Sequence, residues 1–326
     1  MRSPLGWLIV AAVVAGTLSG LSGRLSAEER QLFRTREQVL QWICVYREGA
    51  GPHKLPAFVK AVGRLRLLDD DRRSGIYFGF VAGILADNQT KAAEFAADMF
   101  PLRPENQIII IRGLAYSGLP QWKKILSGLT ERMPARKKLI TKYLFGKGMP
   151  LDSLAFEEGP HVLDAWWGFY FATGSYRPAL KIVSALKWAG EDNNLELLTV
   201  GSMAKWTLAT NASRDKYLLD FLREEQAHQK PPIKTHLREV VLAAENFEVG
   251  KLRRKTLASI EKLKKNGPVK WKKWAWWGKA GQLAMTAGCV AASALGQVQF
   301  GLPCVLGGAA STGVLQLLNL QQTKPE

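Results

Sequence analysis

Histidine and cysteine are scarce in this 326-residue sequence, and each shortage removes a class of chemistry. The three cysteines are Cys44, Cys289 and Cys304, the last two inside an apolar C-terminal stretch. That arrangement gives neither a disulfide framework nor a Cys-based zinc site, and it leaves the redox compartment open. Among the four histidines, His53, His161, His228 and His236, the nearest approach to a metal pattern is Glu225-x-x-His228 followed by His236. Pro231-Pro232 intervenes, and no second carboxylate repeats the motif as a di-iron bundle would. No glycine-rich phosphate loop, no GxSxG elbow and no Cys–His pairing is legible. Ser117 lies in a glycine-flanked stretch, but between helices rather than after a strand. Sustained alternation of apolar and polar residues is also missing, which argues against a sheet. No catalytic residue, metal or cofactor is expected. Glu157, Glu158 and His161, beside a Trp-rich core, remain the enzyme alternative.

What the sequence does carry is cationic charge, with a formal net of +17. Such an excess suggests nucleic acid, because Lys and Arg neutralise phosphates. Its distribution points elsewhere. From Gly250 to Lys279 there are eleven Lys or Arg and one acid, Glu261, a net of +10 directly before an apolar segment. A basic run so placed reads first as an anchor for anionic lipid headgroups. Within it, Lys270, Trp271, Lys272, Lys273, Trp274, Trp276, Trp277 and Lys279 form a membrane-interface collar. Indole rings favour the headgroup level, and lysine heads snorkel to phosphates. Nucleic acid is the disfavoured partner, although aromatic and basic residues together can also bind single strands.

Both ends are apolar. Pro4 to Gly23 carries no charge and follows Arg2, so residues 1–27 read as a secretory signal peptide or a membrane anchor. At the other end, Gly281 to Gln297 and Leu302 to Leu318 are nearly uncharged, each short of the ~20 residues a full crossing needs. Residues 280–320 are therefore expected to form a helical hairpin, followed by a polar tail over 321–326. Ala280, Ala284, Gly288, Ala292 and Gly296 recur every four positions. That face lets another helix approach closely in lipid, either the second segment or a second copy of the chain. Arg24, Arg30, Arg34 and Arg36 outnumber Arg2 across the first segment, which would leave the body in the cytoplasm behind an uncleaved anchor. The compact apolar run and the small residues after it favour export instead.

Between the ends, residues 28–232 form a helical body, cut by Gly and Pro into pieces of ten to eighteen residues. Leu32, Val39, Ile43 and Tyr46 share one helical spacing; Phe58, Val62, Leu65 and Leu68 share another. Short helices in succession predict an all-α fold, an irregular α-solenoid of antiparallel helices, with a globular helical domain as the alternative. Residues 233–279 continue as a long basic helix leading to the collar.

The stretch Trp167-Gly168-Phe169-Tyr170-Phe171-Ala172-Thr173-Gly174, then Ile182 to Leu186, then Ala204-Lys205-Trp206-Thr207-Leu208-Ala209-Thr210-Asn211-Ala212, resembles a group of uncharacterised bacterial proteins. Their shared pattern is WGxFFATG…AL…AxWSLxSNA. The resemblance implies a bacterial, often exported, helical protein and supplies no activity. In physical terms Thr173 and Gly174 can close one helix and open the next, and Asn211 and Ser213 can do the same further on. Trp166, Trp167 and Trp206 are expected in the core, where they can also line a pocket. The expected role is a membrane-associated scaffold at the bacterial envelope, binding anionic lipid headgroups and an unidentified protein.

Overall fold

The computed structural model describes residues 32–49, 51–70, 73–146 and 150–246, with Leu252, Arg254, Lys255, Ala258, Ser259 and Lys262. Among them are twelve α-helices, short 3-10 turns and no strand. The first six helices are α1 Arg36–Val45, α2 Leu55–Arg64, α3 Gly75–Asp87, α4 Ala92–Asp98, α5 Ile108–Tyr116 and α6 Trp122–Gly128. The second six are α7 Lys137–Phe145, α8 Pro160–Thr173, α9 Tyr176–Ser184, α10 Leu195–Ala212, α11 Lys216–His228 and α12 Ile233–Glu245.

Local chemistry sets several of these boundaries. Thr35 and Gln38 form a capping box at α1: the Gln38 N–H donates to Thr35 Oγ1 at 3.4 Å, and Gln38 Oε1 accepts the Thr35 N–H at 3.3 Å. Leu32 therefore falls outside α1 and stays 37% exposed, whereas Val39 and Ile43 are fully buried. α8 closes at Gly174, which adopts φ 65° and donates its N–H to Tyr170 O at 2.7 Å. Thr173 Oγ1 accepts the Ser175 N–H at 3.1 Å, as the Thr173-Gly174 pair predicts. The matching expectation for Asn211 and Ser213 holds in part: Ser213 caps the end of α10, its Oγ donating to Thr210 O at 2.8 Å, while Asn211 stays inside the helix. α10 runs through Ala212, and Asp215 caps α11 by accepting the Leu218 N–H at 3.1 Å.

The most extensive helix–helix contact joins α3 to α8, far apart in sequence. The sequence of α3, GIYFGFVAGILAD, is apolar on every side, as a helix enclosed by neighbours must be. Gly75, Gly79 and Gly83 lie one turn apart along it and leave its backbone bare toward α8. A Cβ on Gly79 would overlap the Ala165 carbonyl oxygen; one on Gly75 would overlap that of His161. From the other side, Gly168 leaves the same lack of room against Ile76 O. The two backbones are in direct contact, which only residues without side-chain bulk permit.

Around this seam the aromatic core includes Trp42, Phe58 and Phe80, with Trp42 centroids 4.9 Å from Phe58 and 5.2 Å from Phe80. Helices adjacent in sequence also pack: α5 on α6, α6 on α7, α8 on α9, α10 on α11 and α11 on α12, while α10 additionally meets α12. Among the described residues no helix is long and apolar enough to cross a membrane. The N-terminal segment, the Lys/Trp collar, the Ala280 to Gly296 face and the second apolar segment lie outside the described residues.

Candidate functional site

The three body tryptophans are packed as core. Trp167 is 0% exposed, and Trp166 and Trp206 are 2% exposed. Trp167 Nε1 donates to Thr207 Oγ1 at 3.0 Å, tying α8 to α10, and its ring stacks on Phe171 at 5.5 Å. Thr207 Oγ1 in turn donates to Met203 O at 2.7 Å, so both buried side-chain groups are hydrogen-bonded. Trp166 sits under Lys181, with the ammonium 5.8 Å from the ring.

Beside this core a polar clasp joins three elements. Arg47 Nη2 donates to Asp215 Oδ2 at 2.6 Å, and Tyr170 OH donates to the same oxygen at 2.8 Å. The guanidinium carbon also lies 4.9 Å from the Tyr170 ring centroid. Burial alone would raise the Asp215 carboxyl, but Arg47, Tyr170 and the Leu218 N–H together hold it below its ordinary value. Three donors, Arg47, Tyr170 and the Leu218 N–H, are committed to this carboxylate, so the clasp ties α8 to the start of α11.

A second cluster brings a buried cation to a histidine and a carboxylate. Lys205, midway along α10, is 6% exposed, and its ammonium donates to Glu239 and to His236 Nδ1, the latter at 3.2 Å. Lys255 Nζ stands 3.8 Å from the other Glu239 oxygen. An ammonium has no lone pair, so His236 Nδ1 accepts and the imidazole proton sits on Nε2. Burial, then the Lys205 cation, lowers the His236 pKa below its usual 6.5. Glu239 is held below the usual carboxylate range: burial opposes this, and the Lys205 hydrogen bond overrides it. The arrangement is a neutral imidazole locked between α10 and α12, with its protonated nitrogen facing Gly190. Sequence reasoning missed Lys205 and Glu239. The available signal was a lone cation in the apolar run from Val200 to Ala209.

Elsewhere, Asp164 on α8 is 4% exposed, and burial raises its pKa well above the usual value. Tyr77 on α3 is near enough to feel its charge, and burial lifts that phenol to about 12. The residues of the enzyme alternative stay apart in role. Glu158 accepts the Ala155 N–H at 3.0 Å, Glu157 is exposed, and the His161 carbonyl forms part of the glycine seam. His228 Nδ1 contacts Glu224 O at 3.1 Å, and Glu225 bonds Gln229. Among the described residues no three His, Cys, Asp or Glu side chains converge as metal ligands would. The one cysteine among them, Cys44, is buried.

Exposed aromatic side chains stand on α9 and α11 as well. Tyr176 and Leu180 lie one turn apart on α9, as do Tyr217 and Phe221 on α11. Tyr176 stacks on Phe221 at 4.8 Å and 16°, while Tyr176, Tyr217 and Leu180 are 56%, 78% and 40% exposed. No known protein family, curated protein or solved structure matches the chain.

Proposed function

We propose that this chain is a membrane-attached helical scaffold that presents a protein-interaction surface. The observation that carries the reading is the exposed strip Tyr176, Leu180 and Tyr217 on α9 and α11, seated on the half-buried ring of Phe221. Tyrosine is enriched at protein interfaces because it brings a large rigid area and a polar tip at low entropic cost. Attachment rests on the sequence: the apolar ends and the collar from Lys270 to Lys279. In this reading the body is an irregular array of antiparallel helices, the 280–320 segments form a hairpin, and its small-residue face meets another helix or a second copy. The body faces the exported side of a bacterial envelope.

Fractionation tests the attachment. The chain is expected to stay with membranes through a carbonate wash and to need detergent for release. Recovery in the soluble fraction without detergent would sink it. A photocrosslinking residue at Tyr217 tests the surface. It should trap a discrete polypeptide that a crosslinker at Ser127 on α6 does not, and identical adduct patterns at both positions would refute the assignment.

A further inference from the structure

We infer that the α6–α7 edge of the body is a second, independent contact with an anionic phospholipid bilayer. From Trp122 to Phe145 the chain has seven Lys or Arg and one acid, Glu131. Six of the seven cations, Lys123, Lys124, Arg132, Lys137, Lys138 and Lys142, are exposed, and none is ion-paired among the described residues. The contrast with neighbouring helices is direct. Arg177 and Lys181 both reach Asp152, and Arg223 bridges Asp220 and Glu245. From α6 to α7, cations have accumulated without acidic partners among the described residues; Lys123 and Arg132 lie over the Trp122 and Phe100 rings instead.

The geometry of α7 adds an apolar element to the charge. Lys138, Lys142 and Phe145 follow at i, i+4 and i+7, which places them along one ridge. Phe145 is 82% exposed, the most exposed of the large hydrophobic side chains described. The opposite side of α7 is anchored: Ile140 is 1% and Tyr143 6% exposed, and Arg112 Nε donates to Tyr143 OH at 3.2 Å. Arg136, the seventh cation, donates to Pro104 O at 2.7 Å and so pins the α7 entry to the body. α7 is thus held by one face and presents on the other two ammonium groups and a bare phenyl ring. A helix with lysines around a projecting Phe suits the headgroup boundary, with the ring entering and the ammonium groups staying at the phosphates.

Nucleic acid would meet the same cations, but single strands also need successive aromatic platforms for their bases. Here Trp122 and Tyr143 are buried, leaving Phe145 as the one exposed ring of α6 and α7. Bilayer therefore fits better than nucleic acid. The inference deepens the membrane reading above and rests on it for that choice, while the terminal segments and this edge remain separate contacts.

The test is a lysine footprint of the full-length chain, reconstituted with phosphatidylcholine vesicles with and without phosphatidylglycerol. Acylation by an amine-reactive reagent is read by mass spectrometry, with exposed Lys216 and Lys234 as references. Labelling of Lys137, Lys138 and Lys142 should fall several-fold with phosphatidylglycerol present, and the references should hold. Paired Lys138→Glu and Lys142→Glu substitutions should weaken protection of Lys137 by about fivefold for each cation removed. Equal labelling in both vesicle types, in a chain that co-floats with them, overturns this inference and leaves the terminal attachment standing. Failure to co-float with either overturns both readings. Protection by an oligonucleotide but not by phosphatidylglycerol assigns the edge to nucleic acid and overturns the bilayer.

Discussion

The α3–α8 seam and the α6–α7 edge are built on opposite principles. At the seam, backbone meets backbone and no atom can be added; at the edge, cationic side chains project without acidic partners among the described residues. Gly79 has the Ala165 carbonyl against it, whereas a Cβ on Gly128, at the end of α6, meets nothing within 4 Å. The seam therefore specifies the fold and can tolerate little, and the edge contributes little to the fold and is available for binding. Charge follows the same division. Cations between helices, such as Arg47 and Lys205, are consumed by Asp215 and Glu239.

The strongest way to break this contrast is Gly79→Ala. It should destabilise the body by about 3–5 kcal/mol, since the new methyl can be housed only by separating two backbones. Thermal denaturation followed by circular dichroism reads it. A stability within error of the original would mean that the two backbones do not touch.

Next in size is Asp164→Asn, beside the seam. A carboxyl whose folded-state pKa is raised favours folding most below the unfolded value of 3.8 and loses that contribution as pH rises through the folded value. The variant should gain about 1–2 kcal/mol over the original chain at pH 7 and nothing near pH 3. A gain that is equal at both pH values would show that titration of Asp164 is not the cause.

The Lys205 cluster supplies a pH test of the opposite sign. His236 has a lowered folded-state pKa, so its contribution is present above about pH 6.5 and is lost as pH falls below it. Removing the cation with Lys205→Met should cost about 1–2 kcal/mol near pH 8, because Glu239 loses its buried partner. It should also shrink the loss between pH 6.5 and 5, because Lys205 is one cause of the lowered value. Urea denaturation across that range checks both parts, and an unchanged pH slope would refute the assignment.

The smallest effects belong to the edge. Gly128→Ala should stabilise by about 0.5 kcal/mol through helix propensity, opposite in sign to the same change at Gly79. Lys138→Glu with Lys142→Glu should shift stability by under about 0.5 kcal/mol while weakening protection by anionic vesicles. A large loss of stability in that double variant would make the two lysines structural and erase the contrast.

Much of the helical pattern was legible in advance because each break is written locally: Gly174 in a left-handed turn, Pro101 just past the end of α4, and Pro134 and Pro160 at entries. α8 ends at Thr173, on the Thr173-Gly174 pair, whereas α10 runs past Asn211 to Ala212. The seam was not read, although its signal was present. Gly75, Gly79 and Gly83 repeat the same four-residue spacing noticed at Ala280 to Gly296. A periodic analysis of apolar residues passes over them, because glycine registers as a gap in hydrophobicity rather than as a contact surface. Lys205 escaped for a different reason: its partners come from α12, and pairings at that sequence distance are fixed only by the tertiary fold. The aromatic contact between α9 and α11 was hidden likewise, since exposed Tyr176 and half-buried Phe221 meet only once both helices are placed.

Hydrogen exchange of the full-length chain on phosphatidylcholine vesicles, with and without phosphatidylglycerol, tests the division between seam and edge most directly. The α3 and α8 amides should be the slowest in both preparations, and the α7 amides should slow only when phosphatidylglycerol is present. Slowing spread evenly over the helices, or an α7 rate indifferent to the anionic lipid, would contradict it.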